Sequence, residues 1–325
     1  MSQATARNMS GVAGATGVAG AMPRGVVGSL VETTKPGITR LVTATSMVGF
    51  VLAASMRAWE LSTLLVLALG CAVGTALSAS GANAINQFME RRRDALMRRT
   101  QSRPLPQGRV TPAAVLATGI GLSIVGVAIL WVFTGAAPAA VSAACVLIYV
   151  AAYTPMKPVS VFSTLVGTLP GALPPLIGWA AASTSGWASL LDAGGLSLFA
   201  LMTAWQMPHF MAIAWMYKDD YALGGYKVLP VMDPSGRRTS IAIALWTSAL
   251  IPATLLPAIV MPERLGLPYV IIAAVSGLYF AWMAARLLRT KERNDARRLF
   301  FGSIIHLPLL LAAIVGESLI RAWIG

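Results

Sequence analysis

Residues 62–94 read STLLVLALGCAVGTALSASGANAINQFMERRRD. As far as Asn86 the run is uncharged; then Glu90, three arginines and Asp94 follow within eight residues. A helix needs roughly 20 predominantly apolar residues to cross a hydrocarbon core of about 30 Å, so 62–86 is long enough to span a bilayer and to deliver acids and arginines to one of its faces. Outward from this stretch, apolar runs of similar length recur at 38–56, 112–133, 136–154, 161–181, 194–216, 240–261, 267–287 and 299–320. The expected fold is therefore all-α, a polytopic membrane protein of about nine transmembrane helices. Composition agrees: 56% of the 325 residues are hydrophobic and 11% charged, against roughly 25% charged in a soluble domain. Residues 1–34, rich in Gly, Ala and Ser where they begin, are expected to form a disordered cytoplasmic tail, and 35–325 a single nine-helix membrane domain.

The formal charge of +13 does not point to nucleic acid, because the basic residues fall between spans rather than along one soluble face. Arg91–Arg109, Lys157, Lys218–Arg238 and Arg286–Arg298 lie in loops of one side, whereas the loops of the other side hold Arg57 and Arg264. By the positive-inside rule, the first side is cytoplasmic, with the N-terminus cytoplasmic and the C-terminus periplasmic or extracellular. Cys71 and Cys145 lie inside apolar runs without CxxC or Cys/His spacing, so both read as packing residues rather than a zinc or haem-attachment motif.

Two loops carry the chemistry. In Asn86-Gln-Phe-Met-Glu90-Arg-Arg-Arg-Asp94-Ala-Leu-Met97-Arg98-Arg99-Thr100-Gln-Ser-Arg103-Pro104, the four-residue spacing of Asn86, Glu90 and Asp94 stacks three oxygen-bearing side chains on one helix face. Mg²⁺ binds through one or two carboxylates plus substrate phosphates, and the adjacent arginines offer forked donors suited to phosphate. Positive-inside topology accounts for the arginines but not for the acids. The second loop, Trp205-Gln206-Met-Pro208-His209-Phe210 through Tyr217-Lys218-Asp219-Asp220-Tyr221 to Gly224-Gly225, lies four spans later. An even number of crossings puts both loops on the same face, where they can meet, and this hints at two four-helix halves plus a ninth helix. Gln206 and His209 are polar groups within an apolar span, a functional signal by default, although satisfying a neighbouring helix is the plainer reading of His209. His306 reads as structural, and Lys157, after Tyr153-Thr154, as either an anion ligand or a snorkelling anchor.

The ordered set Lys35-Pro36, Asn86-Gln87 with Glu90 and Asp94, Met97-x-Arg99-Thr100-x2-Arg103-Pro104, Tyr153-Thr154, Gly171-x2-Pro174-Pro175-x2-Gly178-Trp179, Trp205-Gln206-x-Pro208-His209-Phe210 and Asp219-Asp220-Tyr221 resembles the UbiA superfamily of intramembrane prenyltransferases over about residues 35–235. Gln87, where the wider superfamily usually has Asp, Glu90 in place of Asp, and His209 at a position often held by aspartate, resemble its haem-farnesylating branch. Pro158 departs from that branch, where arginine often follows the lysine.

The resemblance implies a helical bundle around a central apolar cavity. It implies Mg²⁺ as cofactor and farnesyl diphosphate and haem b as substrates, with farnesyl transferred to a haem vinyl group and water added to give haem O. It further implies metal binding by Asn86, Glu90, Asp94, Asp219 and Asp220, and catalytic roles for Asn86, Glu90, Asp94, Asp220 and His209. Substrate contacts fall to Lys35, Arg98, Arg99, Arg103, Tyr153, Lys157, Gln206 and Tyr221, with His209 against haem, at its iron, a propionate or a transferred proton. Membrane lipid surrounds the protein, a bacterial inner membrane is the expected location, and haem A synthase or terminal-oxidase assembly are the expected partners. A quinone-precursor or aromatic acceptor, and transport of a hydrophobic anion, are the competing readings.

Overall fold

The structure is a computed structural model describing residues 25–324. Most of the expected tail, 1–24, lies outside the described residues, but its final part is not a tail: α1 (Val26–Thr33) is helical. Gln87 Nε2 donates to the carbonyl of Thr33 at 2.9 Å, and Arg109 binds both carboxylate oxygens of Glu32, at 2.8 and 3.0 Å. These contacts pin α1 against the bundle.

The remaining helices follow in order: α2 (Pro36–Ala54), α3 (Leu61–Asp94), α4 (Pro112–Thr134), α5 (Ala136–Leu147), which continues through a π-helical turn (Ile148–Tyr153) into α6 (Thr154–Met156), α7 (Ser163–Ala172), α8 (Pro174–Ala181), α9 (Ala193–Met216), α10 (Lys218–Leu223), α11 (Leu229–Met232), α12 (Arg237–Val260), α13 (Leu267–Thr290) and α14 (Arg293–Ile324). Among the described residues there is no strand, and eight helical stretches are long and apolar enough to cross a membrane. The protein is thus a multi-pass membrane protein.

The expected ninth span, 161–181, is present as a broken pair. Pro170 lies within the last turn of α7, and Pro174-Pro175 opens α8 after the single linking residue Leu173. Proline removes an amide donor and clashes with the preceding turn, so a run of this composition bends rather than continuing straight.

Small residues bring the helices together, as lipid-embedded packing requires. A Cβ on Gly74 would meet the carbonyl of Gly126, and one on Gly81 the carbonyl of Gly119, so α3 and α4 touch backbone to backbone. Gly49 meets Pro175, and Gly178 meets Ser46, which locks α8 onto α2. Glu317 of α14 accepts from the amides of Gly266 and Tyr269 at 2.7 and 2.9 Å, capping the start of α13 with a carboxylate from another helix. The chief consequence lies at the other end. α3 is 34 residues long, about 50 Å at 1.5 Å per residue, so it carries its last turns past the apolar layer while still packed among α1, α2, α5 and α6.

Candidate active site

Those last turns present Asn86, Glu90 and Asp94 on one buried side of α3. Each is held by a basic residue from a different part of the chain. Lys35 Nζ donates to Asn86 Oδ1 at 2.6 Å, Lys157 Nζ to Glu90 Oε1 at 2.7 Å, and Arg103 Nη1 to Asp94 Oδ2 at 2.7 Å. Asn86 is spent on both sides, because its Nδ2 donates to Thr154 Oγ1 at 3.0 Å. Asp94 is not: its Oδ1 is buried and unpartnered among the described residues.

The backbone arrangements that aim these cations are specific. Lys35, the N-cap of α2, has φ 50 and ψ 66, a left-handed conformation uncommon for a side chain with a Cβ and often associated with function. Lys157 follows the π-helical turn, a local widening frequent at functional sites. The turn also brings Tyr149 and Tyr153 together with ring centroids 5.4 Å apart, and the Lys157 ammonium lies 4.5 Å from the Tyr153 ring. Arg103 is placed by a compact turn in which Thr100 Oγ1 donates to the carbonyl of Asp94 at 2.9 Å.

The two lysines differ in how firmly they hold their charge. Burial, then the charge of Arg103, holds the Lys35 ammonium down to about 7. Burial also opposes the charge on Lys157, but the Glu90 carboxylate and the neighbouring tyrosines outweigh it and raise Lys157 well above the ordinary lysine range.

The two loops meet, as the count of crossings predicts. The amide of Arg99 donates to Asp220 Oδ2 at 3.1 Å, and Arg93 Nη1 to the carbonyl of Gly224 at 2.7 Å. The Arg99 guanidinium lies over Tyr217 and Tyr221, and Arg93 over Tyr226. The amide of Lys227 reaches the carbonyl of Lys157 at 2.9 Å, closing the ring of loops.

Beneath this polar ring lies a cavity of about 410 Å³, within the range of small-molecule sites. Of the residues expected from sequence, Lys35, Glu90, Asp94, Arg99, Arg103, Tyr153, Lys157, Gln206, His209 and Tyr221 line it. Asn86 is fully buried behind Lys35, and Asp220 is half-buried at the loop contact. Arg98 and Asp219 are exposed and do not line the cavity. Sequence reasoning missed Asn83, one turn before Asn86, together with Tyr149 and Tyr226; the same helix face continued backwards would have found Asn83. Cys145, expected to be packing, faces the cavity, while Cys71 is fully buried as expected. His306 is buried against Phe280, ring centroids 5.4 Å apart, as a structural residue would be.

Gln206 is fixed by bonds from Nε2 to the carbonyls of Met202 and Thr168, at 3.0 and 3.3 Å. A Cβ on Gly171 would lie 1.9 Å from Gln206 Oε1, so the glycine makes room for the amide. His209 is stacked against Trp205 and Phe300.

The donor set suits a hard cation only in company. Among the described residues no three His, Cys, Asp or Glu side chains converge to form a metal cage. One or two carboxylates with phosphate oxygens completing the shell is the usual mode for Mg²⁺, and the unpartnered Asp94 Oδ1 fits it.

Residues 42–305 match the UbiA prenyltransferase family. The chain is 40% identical over 290 residues to "Protoheme IX farnesyltransferase" of Solibacter usitatus, covering 86% of this chain and 95% of that protein. A structure described by its work on digeranylgeranylglyceryl phosphate synthase shares the fold with a TM-score of 0.73 at 15% identity, over 90% of this chain and 98% of that one. A UbiA homologue from Archaeoglobus fulgidus, solved bound to DMAPP and Mg²⁺, does so with a TM-score of 0.62 at 12% identity, over 91% of this chain and 100% of that one.

Proposed function

The chain belongs to the UbiA prenyltransferase family, and on that premise we propose that it transfers farnesyl from farnesyl diphosphate to a vinyl group of haem b, with addition of water, giving haem O. The observation that carries this reading is the triple pairing of Asn86, Glu90 and Asp94 with Lys35, Lys157 and Arg103 at the mouth of an apolar cavity.

Three cations and three oxygen-bearing side chains are the two halves of a diphosphate site. When the substrate enters, Lys35, Lys157 and Arg103 turn from the strip to the phosphate oxygens, joined by Arg99 from the facing loop. Glu90 and Asp94 are thereby freed, and together with Asn86 and Asp220 they would hold Mg²⁺. An Mg²⁺ ion held by these residues would supply positive charge against the departing diphosphate. The cations stabilise the same developing charge, so the carbon–oxygen bond breaks to an allylic cation and diphosphate. The walls below the mouth keep water from the cation. A haem vinyl carbon attacks it, water captures the resulting carbocation, and one proton leaves. His209 and Gln206, deeper in the cavity, contact the porphyrin.

The same reading places the protein in a bacterial inner membrane with the ring of loops cytoplasmic, and its product with enzymes that use modified haem, such as haem A synthase or terminal-oxidase assembly. Mass spectrometry of haems from purified membranes given haem b, farnesyl diphosphate and Mg²⁺ tests the proposal. A haem heavier by a farnesyl and a hydroxyl group is expected. Unmodified haem alongside a prenylated aromatic or quinone precursor would overturn the acceptor.

A further inference from the structure

His209 is set more tightly than contact with a flat substrate requires. Trp205 stacks on its ring with centroids 4.5 Å apart and planes 20° from parallel, and Phe300 stacks on it at 5.3 Å and 27°. Its Nδ1 lies 2.6 Å from Ser303 Oγ. Ser303 in turn is held twice: its hydroxyl donates to the carbonyl of Phe300 at 2.6 Å, and its carbonyl accepts from Trp205 Nε1 at 3.0 Å. These contacts set the plane of the imidazole and the nitrogen it turns to Ser303.

The hydrogen-bond inventory determines the tautomer. A serine hydroxyl has one proton, and that of Ser303 is committed to Phe300. Towards His209 the oxygen accepts, so Nδ1 carries the hydrogen. In a neutral ring Nε2 is then the lone-pair nitrogen. Among the described residues no hydrogen bond engages Nε2, and His209 lines the cavity. A ring with one nitrogen anchored to an oxygen acceptor and the other bare is the arrangement that orients metal-binding histidines.

We propose that His209 Nε2 is the axial ligand of the haem iron and that Ser303 is the positioning residue which keeps that nitrogen unprotonated. The inference rests on haem being the acceptor. His209 lies seven residues before the end of α9 at Met216, about 10 Å of helix, so the iron is seated deeper than the acid strip. One edge of the porphyrin is thereby directed to the mouth, where the allylic cation forms. The bond involves no redox step: the nitrogen lone pair occupies an open iron position, and displaces a water if one is there.

The test uses purified full-length protein in detergent, titrated with haem b, oxidised and reduced, and in parallel with metal-free protoporphyrin IX. Wild type is expected to give the resonance Raman signature of an iron–histidine bond and to bind haem more tightly than the metal-free ring. In His209→Ala that band should vanish and haem affinity fall to that for protoporphyrin, itself unchanged, with added imidazole restoring a nitrogen-ligated spectrum. Unchanged protoporphyrin binding also shows that the variant is folded. Ser303→Ala should keep the iron–nitrogen bond but shift its stretching band and weaken haem binding by about tenfold, and Ser303→Thr should restore both. An unaltered haem spectrum in His209→Ala overturns the ligation, even if turnover is lost. Absence of haem binding by wild type overturns the acceptor assignment, and the ligation with it.

Discussion

The pairing of Glu90 with Lys157 offers a direct test of the charge exchange at the mouth of the cavity. The two side chains are 7% and 15% exposed and 2.7 Å apart. Glu90→Gln leaves an ammonium facing Tyr153 and Tyr226 without its counter-charge. Breaking a buried pair from one side costs about 3–5 kcal/mol; because the lysine borders a cavity, the lower end applies. At about 2 °C per kcal/mol for a large chain, the expected loss is about 6 °C in Tm, read by thermal unfolding in detergent. Replacing both members, Glu90→Gln with Lys157→Met, removes the stranded charge, so most of that loss should be recovered. Activity should behave oppositely. Glu90 holds the cation and Lys157 the diphosphate, so each single change should lower turnover by about 10²–10³, the usual effect of removing one transition-state charge contact, and the double change should restore none of it. Recovery of Tm without recovery of turnover is the signature of partners that separate during catalysis. A double variant whose Tm falls by the sum of the singles, or whose turnover returns, would refute the reasoning.

Asp220→Ala removes the acceptor of the Arg99 amide at 3.1 Å; a hydrogen bond to a charged group contributes about 1.5–3 kcal/mol, so KM for farnesyl diphosphate should rise at least about tenfold in steady-state assays. Because Lys35 is held down to about 7 by burial and by the charge of Arg103, it is cationic below that pH and neutral above it. Arrival of an anionic diphosphate raises it again, so substrate affinity should be level below about pH 7 and decline as pH rises beyond it; Lys35→Arg, charged throughout, should flatten that decline in a binding titration. In Gly171→Ala the new methyl would collide with Gln206 Oε1, and such overpacking costs about 1–3 kcal/mol; haem binding should weaken while diphosphate binding persists, and equal loss of both would show general collapse instead.

The helices were legible because lipid imposes a length and a composition that a single sequence displays. Where the reading and the structure part, a local covalent fact is responsible. The span expected at 161–181 is broken because Pro170, Pro174 and Pro175 fall within eleven residues of its end, information that hydropathy averages away. α1 falls in the stretch whose Gly-, Ala- and Ser-rich start reads as a tail; its stability comes from Gln87 and Arg109, 54 and 77 residues distant from Thr33 and Glu32, and contacts at that separation leave no local pattern.

The site shows the same division between spacing and contact. Four-residue spacing put Asn86, Glu90 and Asp94 on one face, and motif resemblance added Lys35, Arg103 and Lys157, yet nothing in the linear order pairs them one to one. That pairing depends on a left-handed Lys35, a π-helical turn before Lys157 and the Thr100 turn before Arg103, three backbone departures without a composition signature. It also gives the basic residues a second purpose. A strip of acids at the edge of a membrane would be costly if left bare, and here the cations that will grip the diphosphate neutralise it beforehand. Asp94 Oδ1, buried and without a partner among the described residues, marks where a metal ion can be accepted before the Arg103 pair has to open.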